Sequence, residues 1–313
     1  MPTVSRALTD APDIGRATKE RVRQIAREIG YVPNRAGVRL KTGRTNVISL
    51  VLSTDHDMMN HTARLISSIA GALRETPYHM IITPYFPGED PMTPIRYLVE
   101  TGSADAVIVN QTQPRDPRVA YMMERGFPFA THGRTDWCET HPYFDFDNTA
   151  FARMATRRLI ERRRRNLLVV APPEAQNYAQ NLITGARETA NAGGANCTVL
   201  PGASSDSGSQ LIRATVTRYL QEHPETDAIL CASPTAAMAS VAALEEIGRH
   251  LGGDIDVLAK EAVSFLQLFR AALITVPEDV ARAGDFLARA AIQAINQPTL
   301  PPMQGLDVPE MAD

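Results

Sequence analysis

The 313-residue chain has little cysteine, few aromatic side chains and no long apolar run. Its three cysteines, Cys138, Cys197 and Cys231, are odd in number and widely spaced. That excludes a disulfide framework and a zinc knuckle, and it fits reduced thiols in a cytoplasm. No stretch approaches the roughly 18 consecutive apolar residues of a membrane span. Met1-Pro2-Thr3-Val4-Ser5-Arg6 has none of the apolar character of a secretory leader. A cytoplasmic chain without a membrane partner is therefore expected. The sequence also lacks Gly-x-Ser-x-Gly, a P-loop, Gly-x-Gly-x-x-Gly and Cys-x-x-Cys, so it offers no nucleophile elbow and no cofactor loop. It does not read as an enzyme, and no cofactor is expected. His56-Asp57 followed by His61 lacks a third or fourth ligand at a standard spacing, so no metal is expected either.

What is present is an ordinary globular composition, 44% hydrophobic and 21% charged. At roughly 100–200 residues per domain, the length suggests two or three domains. The charge is unevenly spread. Residues 1–45 carry ten basic and four acidic side chains, and the remainder carries 22 basic and 31 acidic. A cationic head on an anionic body points to a nucleic-acid-binding end, because Lys and Arg neutralise phosphates and release counterions. A run of four arginines, Arg162–Arg165, reads as a solvated helix end, where cations suit the helix dipole, in preference to a DNA contact.

Val22, Ile25, Ala26 and Ile29 recur at helical spacing. Thr18 is placed to cap that helix and Gly30 to end it. Thr3–Leu8 is a shorter helical piece. From residue 46 the rhythm becomes strand, helix, strand, helix, and it restarts after a helix over Ala150–Arg163. Two such sets imply two α/β lobes with parallel sheets and right-handed crossovers.

Thr3-Val4-Ser5-Arg6-Ala7-Leu8, Thr18 opening a helix, Gly30-Tyr31-Val32-Pro33-Asn34-Arg35 and Leu40 together resemble the DNA-binding head of the lactose-repressor (LacI/GalR) family. The two-lobed remainder is similar to that family's effector domain. The resemblance implies a fold of two doubly wound parallel-sheet lobes, periplasmic-binding-protein-like of type I. These follow a partial all-α helix-turn-helix head and a hinge. The expected boundaries are a head over 1–33 and a hinge over 34–45. An N-terminal lobe is expected over 46–165 plus about 277–298, and a C-terminal lobe over 166–276 plus about 299–313.

The resemblance makes Thr3–Leu8 the recognition helix, with Arg6 its base reader, since Arg pairs bidentately with guanine. Asn34–Lys41 becomes a hinge helix that folds on DNA, with Leu40 as the apolar wedge in the minor groove. The expected DNA-binding residues are Thr3, Ser5, Arg6, Thr18, Tyr31, Asn34, Arg35 and Leu40. Met1 falls where the family's recognition helix has already begun. The expectation is a head without its first helix and weak operator binding by the chain as written.

Ligands of doubly wound lobes bind beyond the carboxyl ends of the strands. Those ends carry carboxylates, amides and flat rings, the groups that pair with sugar hydroxyls and stack on sugar C–H faces. The expected effector set is Asn60, His61, Tyr85, Asn110, His132, Arg134, Tyr143, Asp145, Asp147, Gln176, Tyr178, Ser233, Glu261 and Glu278. By resemblance Asp147 contacts effector, and it is equally suited to cap the helix near Ala150. Leu182 stands where the family commonly places an effector-binding arginine, and Ser233-Pro234 and Lys260 also depart from its pattern. The implied protein is a transcription regulator, a repressor of a carbohydrate-utilisation operon. It would act as a homodimer on a pseudo-palindromic operator under a small sugar effector. The alternative is a free-standing sugar-binding protein without DNA binding.

Overall fold

The structure, a computed structural model, describes residues 2–8, 10–31, 39–40, 43–54, 59–86 and 88–310. Met1–Asn46 and Val47–Asp313 form two compact units.

In the first unit, α1 (Pro2–Leu8) and α2 (Arg16–Glu28) pack on each other. Ala7 is fully buried. Thr18 lies inside the first turn of α2, whose N-cap is Gly15, so the capping role read from the sequence does not hold. Gly30, at φ 63°, ends α2 as expected, because glycine enters the left-handed region without a Cβ penalty. Asp10 draws Arg23 to 2.5 Å and Lys19 to 3.7 Å, which fixes the turn against α2.

The second unit holds two all-parallel sheets. The first contains β1 (Val47–Ser53), β2 (His79–Tyr85), β3 (Ala106–Asn110), β4 (Phe129–His132), β5 (Tyr143–Phe146) and β11 (Gln304–Asp307), in the order β11-β5-β4-β3-β1-β2. The second contains β6 (Asn166–Val170), β7 (Asn196–Val199), β8 (Ala228–Cys231), β9 (Asp256–Glu261) and β10 (Ile274–Pro277), in the order β10-β9-β8-β6-β7. Burial follows position in the sheet. Interior β3, β8 and β9 are buried at every residue, apolar throughout in β8 and apolar but for Asn110 in β3 and for Asp256, Lys260 and Glu261 in β9, whereas edge strands β7 and β11 alternate.

Helices cover both faces of each sheet. On the first they are α3 (Met59–Ala72) and α11 (Val280–Asn296) on one face, with α4 (Met92–Thr101) and α5 (Pro117–Glu124) on the other. On the second they are α6 (Asn148–Glu161) and α7 (Asn177–Ala192) opposite α8 (Ser209–Glu222) and α9 (Pro234–Glu246). A short helix, α10 (Leu266–Phe269), precedes β10. Two glycines permit close helix contacts. A Cβ on Gly185 would stand 2.6 Å from the Thr149 carbonyl, and one on Gly284 would stand 2.6 Å from Ser68 Cβ.

The fold corrects the sequence reading at three further places. The helix over Asn148–Glu161 falls in the expected first lobe, 46–165, but packs against the second sheet. The C-terminal segment was assigned to the second lobe, but β11 pairs with β5 in the first. Apolar alternation in Gln304–Asp307 is too short to read as a strand without its partner. The arginine run is not merely solvated. Arg162 Nε and Arg164 Nε reach the fully buried carboxylate of Asp256 at 2.8 and 2.7 Å. Arg163, between them, takes a left-handed φ of 68°. The two guanidiniums thus tie the end of α6 to the start of β9.

Candidate functional site

Each sheet reverses its strand order once, beside β1 and β3 in the first and beside β6 and β8 in the second. Loops diverge at such a point and leave a crevice beyond the strand ends. Here the two crevices face each other across one cavity of about 370 Å³. Two crossovers join the lobes beside it. One runs from β5 through Asp147 into α6, and the other runs from β10 through Glu278 and Asp279 into α11. Asp147 and Asp279 cap their helices, accepting from the amides of Ala150 and Arg282.

One wall is a polar chain. The imidazoles of His61, from α3, and His132, from the end of β4, stack with centroids 5.4 Å apart and planes 15° apart. His61 Nε2 lies 3.5 Å from Glu278 Oε1. Glu278 Oε2 in turn lies 3.0 Å from Lys260 Nζ, which also donates to Asn148 Oδ1 at 3.1 Å. The ammonium sits 4.9 Å from the Phe146 ring centroid and 5.8 Å from that of Tyr178. Lys260 thus joins the end of β9 to both crossovers.

Burial alone would raise the Glu278 carboxyl. Lys260 and then His61 outweigh it and hold the group well below the usual carboxylate range. Burial, followed by repulsion from His61, brings His132 down to about 3, so its ring is neutral at pH 7. Asp145 accepts from Arg134 Nε at 2.7 Å, but burial still holds its carboxyl above the ordinary value.

The opposite wall comes from the second lobe. Tyr178 Oη and Gln111 Nε2 both donate to Asp206 Oδ2 at 3.4 Å. Ser233 caps α9, accepting from the Ala236 amide, and Pro234 occupies the first helical turn. Glu261 accepts the amides of Phe265 and Leu266, each at 3.1 Å. At the rim, the Asn177 amide donates to the Thr112 carbonyl at 2.8 Å, and its Nδ2 donates to the Arg134 carbonyl at 2.9 Å. One residue at the start of α7, through its backbone N–H and its side chain, therefore clasps two loops of the other lobe. Gly133, at φ 115°, lies under this clasp, and a Cβ there would stand 2.5 Å from Thr112 Oγ1.

Of the expected effector residues, His61, Asn110, His132, Asp145, Tyr178, Ser233, Glu261 and Glu278 line this one cavity. The structure does not place Tyr85, Arg134, Tyr143, Asp147 or Gln176 among its lining residues. Tyr85 is beside Arg118, Tyr143 faces His141, and Arg134 and Asp147 lie behind Asp145. Gln176 holds the N-cap position of α7. The side chains of Asn60 and Ser5 lie outside the described set, as do Asn34 and Arg35. Leu182 is fully buried in the second-lobe core, so it cannot stand in for an effector-binding arginine.

Strand-end reasoning missed Asp206 and Ser205, because their loop follows edge strand β7 by several residues. It also missed Arg118, whose fully buried partner Asp116 lies within an unremarkable Pro-Arg-Asp-Pro segment. Two buried acceptors, Asn110 Oδ1 and Gln176 Oε1, and the His61 Nδ1 atom have no hydrogen-bond partner. Asn110 and His61 face the cavity, so a polar ligand would satisfy them.

On the DNA side, Thr3, Arg6, Thr18 and Tyr31 are exposed in the first unit, and Leu40 is 92% exposed. Arg6 is held 2.5 Å from Asp13. No described helix is long and apolar enough to cross a membrane.

Known proteins share both units. The chain is 29% identical over 304 residues to the HTH-type transcriptional regulator AglR of Rhizobium meliloti (strain 1021), covering 94% of this chain and 84% of that one. It is 26% identical over 307 residues to the HTH-type transcriptional regulator CelR of Thermobifida fusca, covering 96% and 90%. Two solved structures share the fold. A transcriptional regulator CelR–cellobiose complex aligns with a TM-score of 0.76 at 24% identity, covering 100% of this chain and 94% of that one. A lac repressor dimer bound to operator and the anti-inducer ONPF aligns with a TM-score of 0.84 at 16% identity, covering 100% and 93%. Residues 1–34 match the profile of "Bacterial regulatory proteins, lacI family", and residues 45–298 match that of "Periplasmic binding proteins and sugar binding domain of LacI family". With a helical head ahead of two lobes around a polar cavity, and both profiles matched in that order, the chain belongs to the LacI family of bacterial regulatory proteins.

Proposed function

We propose that this chain is a cytoplasmic, sugar-responsive repressor of a carbohydrate-utilisation operon. It binds a pseudo-palindromic operator as a homodimer and takes its effector in the interlobe cavity. The observation that carries the effector reading is the makeup of that cavity. The unpaired acceptor Asn110 Oδ1, donors and carboxylates around Asp206 and Lys260, and the rings of Phe146 and Tyr178 are gathered between the two lobes. Hydroxyls with a C–H face match that mixture. The CelR relative is known with cellobiose, which makes disaccharides the first compounds to test. No step of this function is catalytic.

The lobes set the output. A ligand preferring one lobe arrangement by about 5.5 kcal/mol takes a regulator from 1:99 to 99:1. A thermal-shift screen of mono- and disaccharides on the whole chain tests the reading. A cognate sugar at 100 times its Kd stabilises by about 2.7 kcal/mol. Shifts from nucleosides but from no sugar would overturn the sugar assignment and leave the regulator standing.

DNA recognition has its own test. To read guanine, Arg6 exchanges Asp13 for the base edge. Arg6→Ala is expected to cost about 1–3 kcal/mol of operator discrimination while leaving non-specific binding nearly unchanged. Fluorescence anisotropy with operator and scrambled duplexes at fixed salt measures it. Equal losses on both duplexes would remove Arg6 from base reading.

A further inference from the structure

We propose that His61, His132 and Glu278 form a site for a divalent transition metal of the zinc class, set into the wall of the interlobe cavity. His61 alone belonged to the sequence cluster that was set aside for want of further ligands. The fold supplies the other two from distant segments, the end of β4 and the second crossover. One ligand atom from each of the three residues lies within 4.8 Å of the others. The His61 Nε2 to Glu278 Oε1 separation is 3.5 Å. Tetrahedral ligands bonded at about 2.1 Å stand about 3.4 Å apart, so that edge is already formed. His132 completes the set by moving roughly an ångström, within the reach of side-chain rotation.

Two imidazoles and one carboxylate are a donor set suited to zinc, cobalt or iron, and three protein ligands leave coordination positions open. Those positions face the cavity, where a water or an oxygen of a bound small molecule completes the shell. The surroundings orient the ligands. Lys260 takes the Oε2 atom of Glu278 at 3.0 Å and leaves Oε1 free for the metal. Its positive charge is the one opposing element, and the Glu278 carboxylate stands between the two cations. Arg134 is drawn off by Asp145 and Asp147.

The site stands on this geometry and not on the sugar reading. The test uses the whole chain, stripped with EDTA and dialysed, then titrated with Co²⁺ and followed by visible absorption and isothermal calorimetry. One equivalent is expected to bind, with the intense visible bands of low-coordinate cobalt. Zn²⁺ should displace it. His132→Ala and His61→Ala, each checked for folding by circular dichroism, should weaken binding by more than the roughly 10–100-fold that loss of an outer partner costs. His250→Ala, at an exposed His–Asp pair, should bind like the parent. Failure of the folded parent to bind one equivalent overturns the proposal. So does undiminished binding by His61→Ala and His132→Ala. Sugar shifts recorded in EDTA and in Zn²⁺ keep the effector question separate, since a shift in EDTA supports the regulator reading whatever the metal does.

Discussion

Replacing Arg118 with methionine is expected to lower the stability of the two-lobed unit by about 3–5 kcal/mol, the cost of leaving a buried partner charge uncompensated. Arg118 and Asp116 are both buried and lie 2.7 Å apart. The guanidinium also donates to the carbonyls of Asn110 and Gln111 at 3.0 and 3.1 Å. It therefore holds the loop that presents Asn110 and Gln111 to the cavity. Urea denaturation at pH 7 measures the loss. Asp116→Asn in the same chain should recover part of it, because the orphaned charge is then gone.

The pair also predicts a pH dependence. Burial alone would raise the Asp116 carboxyl, but Arg118 and the amides of Gln113 and Arg118 hold it below the usual range. A depressed acid contributes stability in full above its unfolded value, near 3.9, and loses it as pH falls toward the folded value. The parent should lose stability on acidification below about pH 4. In Arg118→Met the carboxyl keeps its burial and its two backbone amides but loses the guanidinium, so the gap between variant and parent should narrow over the same range. A gap that stays constant from pH 7 to pH 3 would show that the ion pair is not its source.

Lys260→Met is the second large effect. Its ammonium is the partner of buried Glu278, and it reaches Asn148 on the other crossover. Removal leaves a carboxylate with only the imidazoles of His61 and His132 beside it, and a loss of about 3–5 kcal/mol is expected at neutral pH. Glu278→Gln added to Lys260→Met should restore a substantial part, and a double-mutant cycle by chemical denaturation measures the coupling. A cycle that closes additively would mean the two groups do not interact in solution. The operator response should change too, since the lysine ties both interlobe crossovers to β9. The variant should release operator over a different range of effector concentration.

Legibility in the sequence followed the length scale of each signal. Buried parallel strands announce themselves locally. Val47–Leu52 is apolar but for Ser49, Ala228–Cys231 is apolar throughout, and both lie in interior strands. Cap residues at Asp147 and Asp279 are equally local, and the sequence offers Asp147 both as a cap and as an effector contact, of which the structure shows the cap. The cavity was half legible, because strand ends are local but the direction of a side chain is not. Asp145 and His132 point inward, whereas Tyr143, two residues before Asp145, packs against His141. Pairings across the chain left no local trace. Nothing in the sequence near Arg162 announces Asp256, and nothing near His61 announces Glu278. β11 is the extreme case, since four residues become a strand only where β5 offers an edge.

That last strand has a consequence for how the molecule is born. The second lobe is built from one continuous stretch, 148–277, and can fold as soon as that stretch leaves the ribosome. The first lobe has to wait. Its opening strands emerge early, yet α11 and β11, which seal one face and the far edge, are made only after the whole second lobe. Until β11 has emerged, β5 keeps a naked rim beside Asp145, so the nascent chain carries a finished half and an unfinished one, and a truncation ahead of Gln304 would make that condition permanent.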